Sequence, residues 1–202
     1  MAFSPPPTAK GARQSEAIID AAVRCLATDG YSASSIGRIA EQAGVHKRMV
    51  LYYFASREEL FDVVVQRIGD QLLGQLEAAL LGLEEPADIV SVGFDQIWER
   101  MTSDRALLAA YFGLVAESVT NRHLRKSVGY INDGYRRLIH RLSAELASRG
   151  RRLTIDEQAL TVLIIAGIQG LTLEYLERGD TPALRSAIDV FQGWLGSVAP
   201  AR

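Results

Sequence analysis

The fold is decided by residues 33–60, which read ASSIGRIAEQAGVHKRMVLYYFASREEL. The apolar residues of the first half recur at intervals of three, four and seven positions, which marks one face of a short helix. They are Ile36, Ile39, Ala40 and Ala43. Gly44 comes next and provides the backbone freedom that a sharp turn requires. The spacing therefore predicts two short helices joined by a turn at Gly44.

The second of these helices has a buried side and an outward side. The pattern assigns Val45, Val50 and Phe54 to the buried side. The outward side combines two cations, an aromatic ring and two apolar tips, on Lys47, Arg48, Met49, Leu51 and Tyr52. We call these five residues the recognition face. A short, rigid helix with such a face is what reading the major groove of DNA requires.

The same stretch resembles the N-terminal helix-turn-helix of the TetR family of bacterial transcriptional regulators. The residues that match the family pattern are Ser34, Ser35, Ile39, Ala40, Ala43, Gly44, Val45, Lys47, Tyr52, Tyr53, Phe54, Ser56, Arg57, Glu58, Glu59 and Leu60. The recognition helix departs from the usual family residues at His46, Arg48, Met49 and Leu51. The resemblance therefore implies the fold, whereas the DNA sequence that is read does not transfer from the family.

Nine residues are predicted to contact DNA. Arg48 can pair with a guanine edge or hold a phosphate, and Met49 and Leu51 can touch thymine methyl groups. Small, aromatic and basic residues around the two helices are predicted to hold phosphates. The complete predicted set is Ser35, Arg38, Lys47, Arg48, Met49, Leu51, Tyr52, Tyr53 and Arg57.

Composition and charge agree with a globular protein that meets DNA at one end. The chain has 202 residues, 48% of them hydrophobic, which is enough for a sizeable core and excludes disorder for most of the chain. Its net charge is only −2. Between Gly44 and Arg57, however, the charged residues are all basic, and Lys10 and Arg13 add positive charge near the N-terminus.

Cysteine and histidine usage points away from metal and cofactor chemistry. Cys25 is the only cysteine and lies on an apolar stripe, so we expect a buried, inert thiol, with a redox sensor as the alternative. Glu117, Ser118 and His123 contain the residue types of a hydrolase triad, but no nucleophile elbow surrounds them. We expect neither an enzyme nor a metal or cofactor site.

We also expect no targeting signal in this chain. The N-terminus has no apolar region of the kind that a signal peptide needs. The longest apolar stretches, 106–116 and 162–168, fall short of the roughly 18 residues that span a bilayer. We therefore expect a soluble, cytoplasmic protein with no membrane partner.

Helical periodicity continues to the end of the chain, and no segment alternates like a strand. The predicted fold is all-α, with a three-helix head joined by a long helix to a larger helical ligand-binding and dimerisation domain. Helix 1 is predicted over 14–29, and capping boxes are predicted at Ser56 with Glu59 and at Thr154 with Glu157. The predicted domains are a flexible basic arm at 1–10, the DNA-binding head at 11–57 and the larger domain at 58–202.

The last two helices suggest a dimer. Residues 162–168 are apolar on every side, so a helix there must be covered twice. A helix pair buried within one chain is one interpretation; an interface with a second copy is the other, and two-fold symmetry would present two recognition helices to two half-sites. In TetR-like proteins the final two helices form this interface. The predicted interface residues are Val162, Ile165, Leu184, Ile188, Phe191 and Leu195.

The resemblance also implies a cavity for a small effector among the central helices. The predicted ligand-binding residues are Phe94, Trp98, Met101, Tyr111, Phe112, Tyr130 and Gln169. Aromatic residues at helical spacing are also typical of an ordinary core, and that alternative stays open.

The sequence therefore predicts a homodimeric, ligand-responsive transcriptional regulator, usually a repressor. Its partners would be a palindromic double-stranded DNA operator and a small, largely apolar effector. The family mechanism implies that the effector moves the long helix that begins at Ser56 and so separates the recognition helices from the DNA. The alternative is a small-molecule-binding helical protein with a vestigial DNA head.

Overall fold

The computed structural model of the chain describes residues 8–80, 92–150 and 152–198. Within these ranges it contains nine helices and no strand, which confirms the all-α prediction. The helices are α1 (Ala9–Ala33), α2 (Ile36–Gln42), α3 (Lys47–Tyr53), α4 (Arg57–Leu80), α5 (Val92–Thr102), α6 (Arg105–Ser118), α7 (Arg122–Ser148), α8 (Glu157–Arg178) and α9 (Pro182–Val198). The sequence also predicts a helix break at 82–85 and a helix start at Pro86, and these residues lie outside the described ranges.

The chain divides into two compact units. The head unit contains the described residues up to Gln71 together with 105–131, and the second unit contains the described residues of 72–104 and 132–202. This division differs from the predicted boundary at residue 57. The reason is that α6, distant in sequence, packs along α1 and completes the core of the head unit.

Helix α1 begins before the predicted start at Gln14. The Thr8 hydroxyl accepts a hydrogen bond from the Gly11 amide at 3.1 Å, so Thr8 caps a helix that starts at Ala9. Lys10 therefore lies on the first turn of α1 and not on an extended arm. The expected stripe is confirmed, because Ile18 and Cys25 are fully buried. The backbone leaves helical geometry at Gly30, where φ is 74°.

The predicted turn between α2 and α3 is confirmed. Gly44 adopts a φ of 66°, and the Val45 amide donates to the Ala40 carbonyl at 2.9 Å. The buried side of α3 agrees with the prediction at Val50 and Phe54, which are both 0% exposed, whereas Val45 is only half-buried. Helix α3 is thereby held at a defined orientation on the head unit.

Helix α4 starts at the predicted cap. The Ser56 hydroxyl accepts from the Glu59 amide at 3.0 Å, while the Glu59 carboxylate accepts from the Ala55 amide at 2.8 Å. In a standard capping box the Glu59 carboxylate would accept from the amide of Ser56 itself, whereas here it accepts from the preceding amide, that of Ala55. The helical spacing of apolar residues after Ser56 predicts one buried stripe on α4, and all seven of its residues are buried: Phe61, Val64, Val65, Ile68, Leu72, Leu76 and Ala79.

The second capping prediction is wrong. Asp156, and not Thr154, caps α8, because its carboxylate accepts from the Ala159 amide at 3.0 Å. The Thr154 amide and hydroxyl instead donate to the Val198 carbonyl at 2.9 and 3.2 Å. Thr154 therefore ties the approach to α8 to the last residue of α9.

The second unit has its own aromatic core. Phe94 of α5 packs with Leu184 and Ile188 of α9, and all three are at most 9% exposed. Partly buried residues surround this cluster, namely Trp98, Ile168, Leu171, Tyr175, Phe191 and Leu195. This core involves α5, α8 and α9.

We expected no segment long and apolar enough to span a membrane, and α8 does not meet that expectation. Among the described helices, α8 is long and apolar enough to cross a membrane by length and composition alone. Only 11% of its most apolar 18-residue stretch is buried. For α8, the expectation counted only the uninterrupted apolar run 162–168. Gln169 and Gly170 end that run but add no charge, so the hydropathy of the whole helix stays high. A core helix of a soluble protein meets the same criterion, so the finding shows mainly that α8 is uncovered in the isolated chain.

Candidate nucleic-acid interface

The recognition face is presented to solvent. Tyr52 is 79% exposed and Leu51 is 44% exposed. Lys47 and Arg48 are exposed as well, and the side chain of neither makes a hydrogen bond or ion pair with any residue in the described part of the chain. Met49 is half-buried. The structure therefore offers two uncompensated cations and an aromatic ring on one face of a short helix.

The turn and the core make this face rigid. Fully buried Val50 and Phe54 anchor α3 from below, and the Phe54 amide closes the helix on the Val50 carbonyl at 2.9 Å. Tyr53 is half-buried and its ring lies 5.1 Å from that of Tyr52, nearly edge to face. Tyr52 therefore keeps one ring contact with the protein while most of its surface faces solvent.

Ser35, a predicted phosphate contact, also caps α2. Its hydroxyl caps α2 by accepting from the Arg38 amide at 3.2 Å. The residue is exposed, so the hydroxyl hydrogen remains available to a phosphate oxygen.

Arg38 has acidic partners in the head unit. Its Nε donates to Asp29 at 2.8 Å, and Nη1 donates to Glu41 at 3.4 Å. The hydrogen bond to Asp29 raises the pKa of Arg38, so the guanidinium stays charged. A phosphate would have to compete with two carboxylates for this side chain, which makes Arg38 a weaker candidate than Lys47 or Arg48.

Arg57 does not point outward as the sequence analysis expected. Its Nε donates to the Ser34 carbonyl at 3.1 Å, and its Nη2 donates to the Tyr31 carbonyl. The guanidinium carbon lies 4.1 Å from the centre of the Tyr31 ring and 4.8 Å from that of Phe61. Carbonyls and rings distant in sequence thus occupy two of its N–H donors and one face of the guanidinium, and the predicted phosphate contact stays a prediction.

The predicted effector residues are divided between the two units. Tyr111 and Phe112, whose rings lie 5.2 Å apart, belong to the head unit together with Tyr130. The Tyr130 hydroxyl donates to Asp70 at 2.6 Å, and the residue is 39% exposed. These three side chains thus pack against or hydrogen-bond to other residues of the head unit. Their role in ligand binding stays a prediction.

The second-unit part of the predicted cavity is an aromatic array. Phe94 stacks with Trp98 at a centroid distance of 6.4 Å, and Trp98 meets Tyr175 edge to face at 6.0 Å. Phe94 and Met101 are buried, at 4% and 8% exposure, whereas Trp98 and Gln169 are half-buried. Trp98 therefore lies at the margin of the core and can respond to a molecule bound beside it.

Two polar atoms of the second unit were not singled out from the sequence. Gln75 Oε1 on α4 and Asn132 Oδ1 on α7 are buried, and within the described residues neither finds a hydrogen-bond donor. A buried carbonyl oxygen without a donor is unfavourable by roughly 1–3 kcal/mol. The sequence signal was weak: an amide on the inner side of an amphipathic helix. No group of three His, Cys, Asp or Glu in the described ranges is placed to hold a metal ion.

The predicted dimer residues need revision. Leu184 and Ile188 are 2% and 9% exposed inside one chain, so they cannot offer a surface to a partner. Ile165, Phe191 and Leu195 are half-buried, and Val162 is the one exposed member of the predicted set. Helix α9 has two apolar stripes, one that contains Leu184 and Ile188 and one that contains Ala187 and Val190. The sequence does not indicate which stripe is buried, because both have helical spacing.

Each terminal helix nevertheless exposes an apolar stripe. On α8 the stripe contains Val162, Leu163, Ala166, Gly170 and Leu173. On α9 it contains Ala183, Ala187 and Val190, with half-buried Trp194 beside them. Val162 and Val190 are 61% and 73% exposed. We call these two stripes together the terminal-helix surface.

Comparison with known proteins gives two family matches. Residues 18–64 match the model of the bacterial regulatory proteins of the tetR family. Residues 93–200 match that of the C-terminal region of BetI-type transcriptional repressors.

Individual relatives agree with these matches over nearly the full chain. One is the nicotine-responsive transcriptional repressor HdnoR of Paenarthrobacter nicotinovorans, 24% identical over 172 residues that cover 85% of this chain and 88% of that protein. Another is the transcriptional regulator BetI of Brucella anthropi, 27% identical over 184 residues that cover 88% of this chain and 89% of that protein. The solved structure of the regulator FadR from Bacillus subtilis in complex with stearoyl-CoA has the same fold, with a TM-score of 0.74 and 20% identity, covering 89% of this chain and 96% of that chain.

Proposed function

This chain belongs to the TetR family of bacterial regulatory proteins and is a ligand-responsive transcriptional regulator, and we propose that it works as a homodimeric repressor in the cytoplasm. The repressor role is supported by the family match of residues 93–200 and by the name of the relative HdnoR. The dimer would bind a palindromic operator, and an effector would release it.

The observation that carries the proposal is the recognition face. Lys47 and Arg48 stand on a rigid helix with no acidic partner among the described residues, beside an aromatic ring that is 79% exposed. Leaving two cations uncompensated on a solvent face favours a polyanionic partner. Arg48 is the best candidate for reading a guanine, and Lys47 for holding a phosphate.

Selection of bound duplexes from random sequence tests this proposal. A repressor should enrich an inverted repeat whose half-sites lie about one helical turn, 34–36 Å, apart or a multiple of that distance. The affinity for the enriched duplex should fall steeply with salt. A vestigial DNA head, the alternative function, would enrich no sequence.

A dimer is proposed from the terminal-helix surface. An apolar stripe on each of two neighbouring helices is unfavourable in water and is typical of an interface. Helix α8 in particular is apolar on several sides, and a second copy of the chain would cover the side that the first copy leaves exposed. In this proposal Leu184 and Ile188 hold the second unit together, while Val162 and Val190 meet the partner.

The effector is proposed to be a small organic molecule with an apolar body and at least one N–H or O–H donor. The aromatic array beside Trp98 offers an apolar contact surface. Gln75 and Asn132 offer buried carbonyl oxygens that lack donors within the described residues. The named ligands of two relatives, nicotine for HdnoR and stearoyl-CoA for FadR, agree with an organic effector that has apolar parts.

A further inference from the structure

Arg57 sits where the chain leaves the helix-turn-helix and enters α4. The sequence predicts that Arg57 holds a phosphate, but here two of its N–H groups are directed at main-chain carbonyls of the head unit. The acceptors belong to Tyr31 and Ser34, at the end of α1 and just before α2.

Three features of α1 explain why Arg57 is drawn to this place. The last turn of α1 contains no basic residue of its own, and the backbone breaks at Gly30. Carbonyl groups at a helix C-terminus carry partial negative charge and lack helical donors. A guanidinium from α4 supplies both the charge and the donors.

Ring contacts fix the guanidinium in one orientation. It packs against Tyr31 and Phe61, whose ring centres are themselves 4.8 Å apart. These rings are 8% and 0% exposed, so the guanidinium lies against the core and not in open solvent. A lysine could supply the charge but neither the planar stack nor the forked pair of hydrogen bonds.

A second tie between α4 and α1 lies further along both helices. Arg67 Nη1 donates to Glu16 at 2.6 Å, and its other terminal nitrogen lies 3.9 Å from Asp20. The Arg57 and Arg67 contacts are ten residues apart on α4, which corresponds to about 15 Å along a helix. Helix α4 therefore contacts α1 through arginine side chains at two levels.

From these contacts we propose that Arg57 is a positioning residue: it makes the first turn of α4, the end of α1 and the start of α2 move as one body. This inference rests on the proposed function, because it assigns Arg57 the task of orienting the DNA-reading helices with α4. Arg57 then acts on DNA through Ser35 and α3, and not by touching a phosphate.

Salt-dependent binding separates positioning from phosphate contact. The probe is a random-sequence duplex together with the duplex enriched by selection, and the variants are Arg57→Lys, Arg57→Ala and Lys47→Ala. For a positioning residue, both Arg57 variants should weaken binding to the enriched duplex by roughly tenfold or more, with an unchanged salt slope. Lys47→Ala should instead lower the slope by about one.

Hydrogen exchange reports on the same contacts without DNA. In Arg57→Lys, the amides of Ser34 and Ser35 should exchange roughly tenfold faster than in the wild type, since a charged hydrogen bond to the turn is lost. Ile18→Val is the matched control, because it loosens the core of the head unit at a fully buried position without touching Arg57. This control should leave DNA affinity and turn exchange unchanged at temperatures well below unfolding.

Several results would overturn the inference. Wild-type affinity in Arg57→Lys combined with a reduced salt slope in Arg57→Ala would make Arg57 a phosphate contact. Unchanged turn exchange in Arg57→Lys, or faster exchange with wild-type affinity, would remove the positioning role. If the wild type binds no duplex, the proposed function fails, while the exchange experiment still decides whether Arg57 holds the turn.

Discussion

The cations near the helix-turn-helix differ in what each has as a partner. Arg38 is paired with Asp29, and Arg57 is bonded to carbonyls of the α1–α2 turn. Lys47 and Arg48 have no such partner within the described residues. Charge alone therefore does not identify the residues that contact DNA. Lys47 and Arg48 are stronger candidates than Arg38 and Arg57, because their side chains have no intramolecular partner within the described residues.

Replacing Lys47 and Arg48 together by Ala should abolish specific DNA binding. Both side chains are exposed, so the free energy of unfolding should change by less than about 0.5 kcal/mol. Anisotropy on the enriched duplex and thermal unfolding measure the two quantities. Near-wild-type affinity in the double variant would refute the recognition face.

Cys25 provides a test of the packing of α1. The residue is 1% exposed, and desolvation raises the pKa of its thiol, so little thiolate exists near neutral pH. The native protein should react with iodoacetamide far more slowly than the unfolded chain, and the difference should persist as the pH rises through the ordinary thiol pKa. Equal labelling rates would contradict the burial of this helix face and would favour the redox-sensor alternative.

At the level of elements, the turn between α2 and α3 favours glycine at position 44 because of its backbone conformation, and not because a side chain would lack room. The φ of 66° disfavours side chains, although nothing lies within 4 Å of the position that a Cβ would occupy. Gly44→Val should cost about 2 kcal/mol and weaken DNA binding by disturbing α3, since a β-branched residue tolerates this conformation poorly.

Gly44→Asn is the matched control for this prediction, because asparagine tolerates the left-handed region better. It should retain most of the stability and DNA affinity of the wild type. Chemical unfolding and duplex binding distinguish the two variants. If Asn and Val were equally harmful, the cause would be lost space and not backbone strain.

For the whole molecule, the terminal-helix surface predicts which substitutions should dissociate the proposed dimer and which should unfold the chain. Val162→Glu and Val190→Glu place charges on side chains that are 61% and 73% exposed in one chain, so the monomer should stay folded but the dimer should dissociate. Leu184→Asp introduces a charge at a site that is 2% exposed and should unfold the second unit.

Sedimentation and circular dichroism separate these outcomes, and Asp189→Lys, an exposed change on another side of α9, should have neither effect. An intact dimer in both valine variants would exclude the terminal-helix surface as the interface. A folded Leu184→Asp monomer would instead restore the interface that the sequence predicted.

Effector binding is also a property of the whole molecule, because it must couple two distinct sites. A molecule that releases DNA has to bind the free protein more tightly than the DNA-bound protein, by the factor through which it lowers DNA affinity. In a Trp194→Phe background, which leaves Trp98 as the only tryptophan, organic molecules with a donor group should change fluorescence and weaken duplex binding together.

Gln75→Leu or Asn132→Leu should reduce this response without changing DNA affinity in the absence of effector. Gln71→Leu, one turn earlier on α4 and exposed, is the matched control and should respond like the wild type. If both inner variants respond normally, or if only strongly charged molecules without apolar parts release DNA, the proposed effector chemistry is wrong.

The sequence by itself determined the family, the helices, the turn at Gly44 and the buried stripes of α1 and α4, because periodicity and turn chemistry are written in neighbouring residues. Only the tertiary structure decided that Arg57 turns inward, since its surroundings come from Tyr31 and Phe61. The same holds for α9, where two stripes of equal helical spacing compete for the core. Phe94, distant in the chain, covers Leu184 and leaves Val190 exposed, so contact between remote segments selects the buried face.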